Sequence, residues 1–285
     1  MSEFNKVMID GRSVLKPGQL DILELLYKYR FGSRQLLADS LGIKAGSSLH
    51  EKIQVLIKHG YIGVRLEKRL KLYGIPAAYY LTPKGLRTLA ALPNHEYITD
   101  SVIKGSYRDK NVSQTFVTQN LCVYSQTNYL KHFYPNLKVF LKHDMSRFSY
   151  FPKILPDAFL SFLVSGDMPP LRFFLDIVSA SFSSRLLYQR VTNYAEFFDT
   201  GGWDSVSSEL PGLLFVGESG ATERRLQRLV RSAVRNSELD DIQIHTSTYG
   251  AVEHLEGEGD IWTSLEDRED LRALPDMTYL SEQNG

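Results

Sequence analysis

Apolar residues first recur at helical spacing just after Pro17. Leu20, Leu23, Leu26 and Tyr29 lie three residues apart, which places them on one face of a helix over 19–29. Pro17 sits where the first turn of that helix tolerates a missing N–H. Phe31-Gly32 interrupts the pattern, and Ser33 is a good cap for a second helix over 34–41 that Gly42 closes. A third helix starts at a Ser47 or Ser48 cap, runs to about His59 and ends at Gly60; Leu49, Ile53, Leu56 and Ile57 share one of its sides. From Tyr61 the period shortens. Tyr61-Ile62, Val64 and Leu66, then Leu70, Leu72 and Tyr79-Tyr80-Leu81, predict two strands around a charged turn. Thr82 caps a fourth helix that Pro83 opens and that ends near Ala91. Helix, helix, helix, hairpin, helix over 17–93 predicts a winged helix-turn-helix, preceded by an N-terminal arm, 1–16.

Beyond a linker at 94–108, element types alternate. The pattern predicts a helical stretch over 109–133, strands at 137–142, 158–164 and 171–178, and a helix over 182–198. A strand at 213–216, a helix over 221–236 and a strand at 242–246 follow. The strand at 171–178 is almost continuously apolar, as a strand buried on both faces must be. This alternation predicts an α/β domain with a mixed sheet over 109–250. Residues 251–285 are acidic and weakly periodic. They read as a tail with at most one short helix, although Ile261, Trp262, Leu265, Leu271 and Leu274 give it apolar anchors.

The chain has 285 residues, with 33 Lys and Arg balanced by 33 Asp and Glu, but the balance hides a segregation. Residues 1–93 carry a net charge of +8, residues 94–250 a net of 0 and residues 251–285 a net of −8. A basic head on a neutral body points to a polyanionic partner for the head. The single cysteine, Cys122, excludes an internal disulfide framework and a cysteine-based zinc site. No stretch of about 18 apolar residues is present, and the first residues lack the apolar core of a signal peptide. The expectation is a cytoplasmic protein with no membrane partner.

Charge and motif coincide in the head. Opposite its apolar side, the third helix carries Ser47, Ser48, His50, Glu51, Gln54 and Lys58, side chains that reach base edges or phosphates in a major groove, and Lys44 precedes it. The hairpin turn holds Arg65, Lys68, Arg69 and Lys71, a concentration of cations suited to backbone or minor-groove contact. A protein-binding winged helix has no reason to concentrate cations there.

The runs PGQLDILELLYKYRFGSRQLLADSL, HEKIQVLIKHGYI and AAYYLTPKGLRTLA are similar to the N-terminal domain of the replication-relaxation family of plasmid and mobile-element proteins. LPDAFLSF and LRFFLDIVSASFSSRLLYQRVTNYAEFF resemble the strand, strand and helix of that family's second half, so the resemblance covers about 15–220. It implies a role in plasmid replication, mobilisation or control of their genes.

Pro156-Asp157 on one strand and Asp176 on the next resemble the PD-(D/E)xK nuclease fold, in which two carboxylates hold a divalent metal and a lysine positions the attacking water. The lysine position is Val178 here, and an apolar side chain cannot replace an ammonium group. Arg190 or Gln189, on the following helix, can face the same place. Asp157 and Asp176 are therefore degenerate nuclease-like positions with no catalytic role expected, and no cofactor is expected unless the chain is a metal-dependent nuclease. In the helix over 221–236, Arg224, Arg228, Arg231 and Arg235 line one face with Arg225 beside it; they either touch DNA phosphates or dock the acidic tail.

Together these readings predict a double-stranded DNA-binding accessory or regulatory protein of a plasmid or mobile element, with a winged helix and an inactive nuclease-like α/β body. A homodimer and replication or mobilisation proteins are its further candidate partners. A PD-(D/E)xK nuclease and a protein-interaction scaffold are the alternatives.

Overall fold

Pro17 opens the first helix, α1 (Pro17–Tyr29), in a computed structural model that describes residues 15–66, 76–93, 95–163, 169–235, 242–266 and 271–277. Residues 1–14 of the arm and the hairpin turn with Lys68, Arg69 and Lys71 lie outside the described residues, whereas Lys16 is the N-cap of α1 and Leu15 packs on the first core. The buried stripe of α1 is Ile22, Leu23, Leu26 and Tyr29, with Ile22 rather than Leu20 at its start. The helix ends at Arg30, whose φ of 65° is a conformation unfavourable for a side-chain-bearing residue. The Arg30 guanidinium is held in place by Asp109 Oδ1, at 3.0 Å from Nε and 2.7 Å from Nη2, and lies over the Phe116 ring.

Phe31-Gly32, read from the sequence as a break, is also a short strand, β1 (Phe31–Gly32). In α2 (Arg34–Ser40) the Ser33 hydroxyl accepts from Leu36 N, as its capping role predicts. Helix α3 (Ser47–Lys58) is capped by Gly46 instead of a serine, and Ser47 is its first residue. Strands β2 (Ile62–Arg65) and β3 (Ala78–Leu81) pair antiparallel, and β1 adds to the other edge of β3, giving the order β1-β3-β2. Thr82 caps α4 (Pro83–Ala90) by accepting from Gly85 N. Leu23, Leu26, Leu37, Leu49, Ile53 and Leu56 form the middle of this core.

Over its described part, 95–108, the expected linker belongs to that core. It contains α5 (Asp100–Ser106), and Ile98 and Ile103 are buried with Leu86 and Leu89. The next helix, α6 (Gln114–Phe133), packs Val117 against Phe31 and Ala78. Its Tyr124 stacks on Tyr29, with centroids 3.6 Å apart, and donates to Ser40 Oγ at 2.8 Å. Spacing along the chain could not reveal this, because the polar stretch is held by a few long-range contacts. The first compact unit accordingly extends to Tyr124, and a second runs from Ser125.

The second unit is built on a seven-stranded sheet. Its strands are β4 (Leu137–Leu141), β5 (Ala158–Phe162), β6 (Leu171–Val178), β7 (Gly212–Gly217), β8 (Ile244–Thr248), β9 (Trp262–Ser264) and β10 (Leu271–Arg272), adjacent in chain order. Only β6, β7 and β8 are mutually parallel, and each parallel step needs a crossover: α8 (Ser184–Asp199), after the one-turn α7 (Lys142–Met145), and α9 (Gly220–Val234). Both crossover helices contribute apolar stripes, Leu187, Val191 and Tyr194 from α8 and Leu226 and Val230 from α9, to a core with Phe159, Phe174 and Phe215 of the sheet. The fold is mixed α/β. Among the described residues no helix is long and apolar enough to cross a membrane.

The expected tail is likewise structural over its described part. After α10 (Tyr249–Glu253), β9 pairs antiparallel with β8 and β10 with β9, and Trp262, Leu274 and Met277 are fully enclosed. Acidic composition masked this because two- and three-residue strands are too short to show a period. Replacing Trp262 by Ala is expected to destabilise the second unit by about 3–5 kcal/mol. Urea denaturation followed by far-UV circular dichroism measures the loss; a stability equal to wild type would place Trp262 outside the core.

Candidate nucleic-acid interface and buried charge cluster

Helix α3 divides its residues sharply. Leu49, Ile53 and Leu56 are wholly buried, which contributes about 1.5–3 kcal/mol each and fixes the helix's rotation. The same rotation leaves Ser47, Ser48, His50, Glu51, Gln54 and Lys58 exposed, and Lys44 is exposed in the turn before them. Since Gly46 offers no side-chain cap, the first N–H groups of α3 remain open beside two serines and Lys44. The structure thus brings together six of the ten head residues that the sequence singles out: Lys44, Ser47, Ser48, His50, Gln54 and Lys58. Arg65 departs from the expectation. Its guanidinium donates to the carbonyls of Val112 and Asp109, so it fastens β2 to the 107–112 turn. Lys68, Arg69 and Lys71 lie outside the described residues.

In the second unit, strand register assembles a charge cluster. β4 pairs β5 with Leu141 opposite Ala158, and β5 pairs β6 with Ala158 opposite Leu175. One step beyond these pairs, Lys142 just after β4, Asp157 just before β5 and Asp176 within β6 fall in a row. Lys142 Nζ donates to Asp157 Oδ1 at 2.6 Å. Ile177 N donates to Asp157 Oδ2 at 3.1 Å, and Asp157 N to Asp176 Oδ1 at 3.2 Å. From α8, Arg190 donates to Asp176 Oδ1 and lies 3.7 Å from Asp157, while Tyr194 donates its hydroxyl to Asp176 Oδ2 at 2.9 Å. Phe182 stacks on the guanidinium.

The two carboxylates are almost wholly buried, so each must be paired. Burial alone would raise the Asp157 pKa, but Lys142, Arg190 and the Ile177 amide outweigh it and hold the group below the usual carboxylate range. Burial, reinforced by the adjacent Asp157 charge, pushes Asp176 upward against the pull of Arg190. Arg190 is itself held more firmly protonated by Asp176. Val178, at the position of the expected lysine, is packed in the core, where an ammonium group would be stranded.

Arg190 thus occupies the place that sequence reasoning left open for it. Lys142 and Tyr194 were missed. The signal for Lys142 was present, since it ends a predicted strand as Asp157 begins one, but using it required the antiparallel pairing of those strands. The carboxylate oxygens accept from a lysine, an arginine, a tyrosine and two backbone amides. That donor-rich surrounding supplies positive charge from the protein and does not fit a divalent ion. Among the described residues no group of three or more His, Cys, Asp or Glu is arranged to hold a metal.

Of the α9 arginines, Arg224, Arg228 and Arg235 are exposed. Arg231 instead donates from Nε to the Leu265 carbonyl at 3.1 Å and clamps the segment after β9, and Arg225 donates to the Ser179 carbonyl at 3.2 Å.

No family model and no curated protein matches the chain, so the replication-relaxation family expected from its motifs is not shown. Among solved structures, that of the restriction endonuclease FokI is similar at 14% identity and a TM-score of 0.33. The match covers 82% of this chain and 42% of that one, and a likeness of that size fixes neither fold nor activity.

Replacing Arg190 by Ala strands Asp176 and is expected to cost about 3–5 kcal/mol. Without the guanidinium the carboxyl rises further, so the folded state retains a proton that the unfolded state has lost. The deficit relative to wild type therefore grows as pH rises from about 4 to 7. Urea midpoints across that range test this; a pH-independent deficit would show that Arg190 contributes packing alone. Lys142→Ala costs less, because the lysine side chain is half exposed.

Proposed function

We propose that the first unit is a winged helix-turn-helix that binds double-stranded DNA, with α3 as its recognition helix. The observation that carries this reading is the polar face of α3, exposed from Ser47 to Lys58 at an uncapped N-terminus and preceded by Lys44. Open backbone N–H groups at a helix start favour phosphate, and Gln54 and His50 are suited to base edges one turn further in. The net charge of +8 over residues 1–93 supports the same partner. The cations Lys68, Arg69 and Lys71 belong to the proposal through the sequence.

The second unit is a nuclease-like scaffold without catalysis. In support, Asp157 and Asp176 are saturated by Lys142, Arg190, Tyr194 and backbone amides. The motif similarity to replication-relaxation proteins supports an accessory or regulatory role on a plasmid or mobile element, with a second copy of the chain or replication and mobilisation proteins as partners. Purified protein is expected to leave supercoiled plasmid intact with magnesium or manganese; nicking abolished by both Asp157→Ala and Asp176→Ala would establish the nuclease instead.

Selection from a random duplex library, followed by fluorescence anisotropy on the enriched site, tests the DNA reading. Replacing Lys44 and Lys58 by Ala is expected to lower the slope of log affinity against log salt by about two. Gln54→Ala is expected to relax preference at one base pair, a difference of about 1–3 kcal/mol. No enrichment, or slopes and preferences that match wild type, would exclude α3 from the interface.

A further inference from the structure

We propose that the outer face of α9 is a second DNA-contacting surface, a phosphate-binding ridge of the second unit that acts alongside the first. The inference rests on reading the first unit as a DNA-binding module. The exposed residues of α9 and its C-cap are Ala221, Arg224, Arg228, Ser232 and Arg235. At 3.6 residues per turn the three arginines fall within a sector of about 40° and span about 16 Å along the axis. Between Arg228 and Arg235 on this face stand Ser232 and the half-buried Arg231, whose guanidinium is drawn to the Leu265 carbonyl, so the three exposed guanidinium groups keep room to approach a charged surface.

Charge on this face is unopposed within the helix. The one acid of α9, Glu223, is turned toward the sheet, where Thr246 Oγ1 donates to it at 2.9 Å and in turn accepts from Gln227. Arg231 and Arg225 are committed to the Leu265 and Ser179 carbonyls, which separates anchoring arginines from presenting ones on the same helix. A helix that needs only solubility mixes signs along its exposed face. A helix that docks on protein presents apolar anchors at its centre, and the exposed residues here include none.

What fits a straight row of three guanidinium groups is a regular row of anions. Each strand of a duplex carries one phosphate for about every 3.4 Å of helix axis, so a ridge of this length overlaps several phosphates along the axis and meets those on the side of the duplex that faces it. Guanidinium groups on phosphate supply affinity without reading sequence. The first unit would therefore select the site and α9 would add attachment to flanking duplex.

The test compares the full chain with two variants: Arg224→Gln, Arg228→Gln and Arg235→Gln together, and Lys44→Ala, Lys58→Ala and Gln54→Ala together. All changed side chains are exposed, and thermal melting confirms that both variants fold as wild type does. Binding to a random-sequence duplex is measured from low to moderate salt. The α9 variant is expected to lose about two to three units of salt slope. The α3 variant is expected to keep residual salt-dependent binding, whose salt slope falls further by about two to three units when the α9 substitutions are added. An α9 variant with wild-type slope and affinity overturns the inference. An α3 variant indistinguishable from wild type counts against the first unit's role instead and leaves the α9 result readable by itself.

Discussion

Two carboxylates closed off from water govern how the second unit is put together. Asp157, just before β5, and Asp176, within β6, lie side by side, and Lys142 and Arg190 offset their repulsion. Lys142 comes from the end of β4 and Arg190 from the second turn of α8. The pairing thus ties the antiparallel edge of the sheet to its first parallel crossover. An apolar substitute of equal volume could be as stable. What the charges add is a requirement that strand register and helix position agree, since a slip of one residue would send the partners to opposite faces.

In the first unit the governing constraint is the rotation of α3. Its three fully buried residues leave no freedom to turn, so the polar face is presented as a fixed surface. The contacts that brace this core come from later in the chain. Asp109 holds the strained end of α1, the Val112 and Asp109 carbonyls hold Arg65, and Tyr124 reaches Ser40. Cations in this protein accordingly divide into two kinds. Arg30, Arg65, Arg190, Arg225 and Arg231 have structural acceptors, whereas Lys44, Lys58, Arg224, Arg228 and Arg235 are exposed. Composition counts both kinds alike, although the first kind is already engaged within the fold.

The sequence by itself determined the elements whose signals are local. The helices α1 to α4, the caps at Ser33 and Thr82, the strand Leu171–Val178 and the crossover helices α8 and α9 are legible because a period of 3.6 or a continuous apolar run needs only neighbouring residues. It also singled out the exposed face of α3 and the pair Asp157 and Asp176, and it pointed to Arg190 as a nearby cation. Tertiary structure alone decided the rest. Lys142 joins the carboxylates through two successive strand registers, and no spacing along the chain encodes a register. The segment 94–108 and the described part of 251–285 read as polar connection and acidic tail, because two-residue strands and single buried residues such as Ile103 and Trp262 carry no period. Their burial comes from surfaces made elsewhere in the chain. The fates of Arg65 and Arg231 turn on carbonyls dozens of residues away, so whether a charge faces solvent or fastens the fold is settled only when the chain has closed on itself.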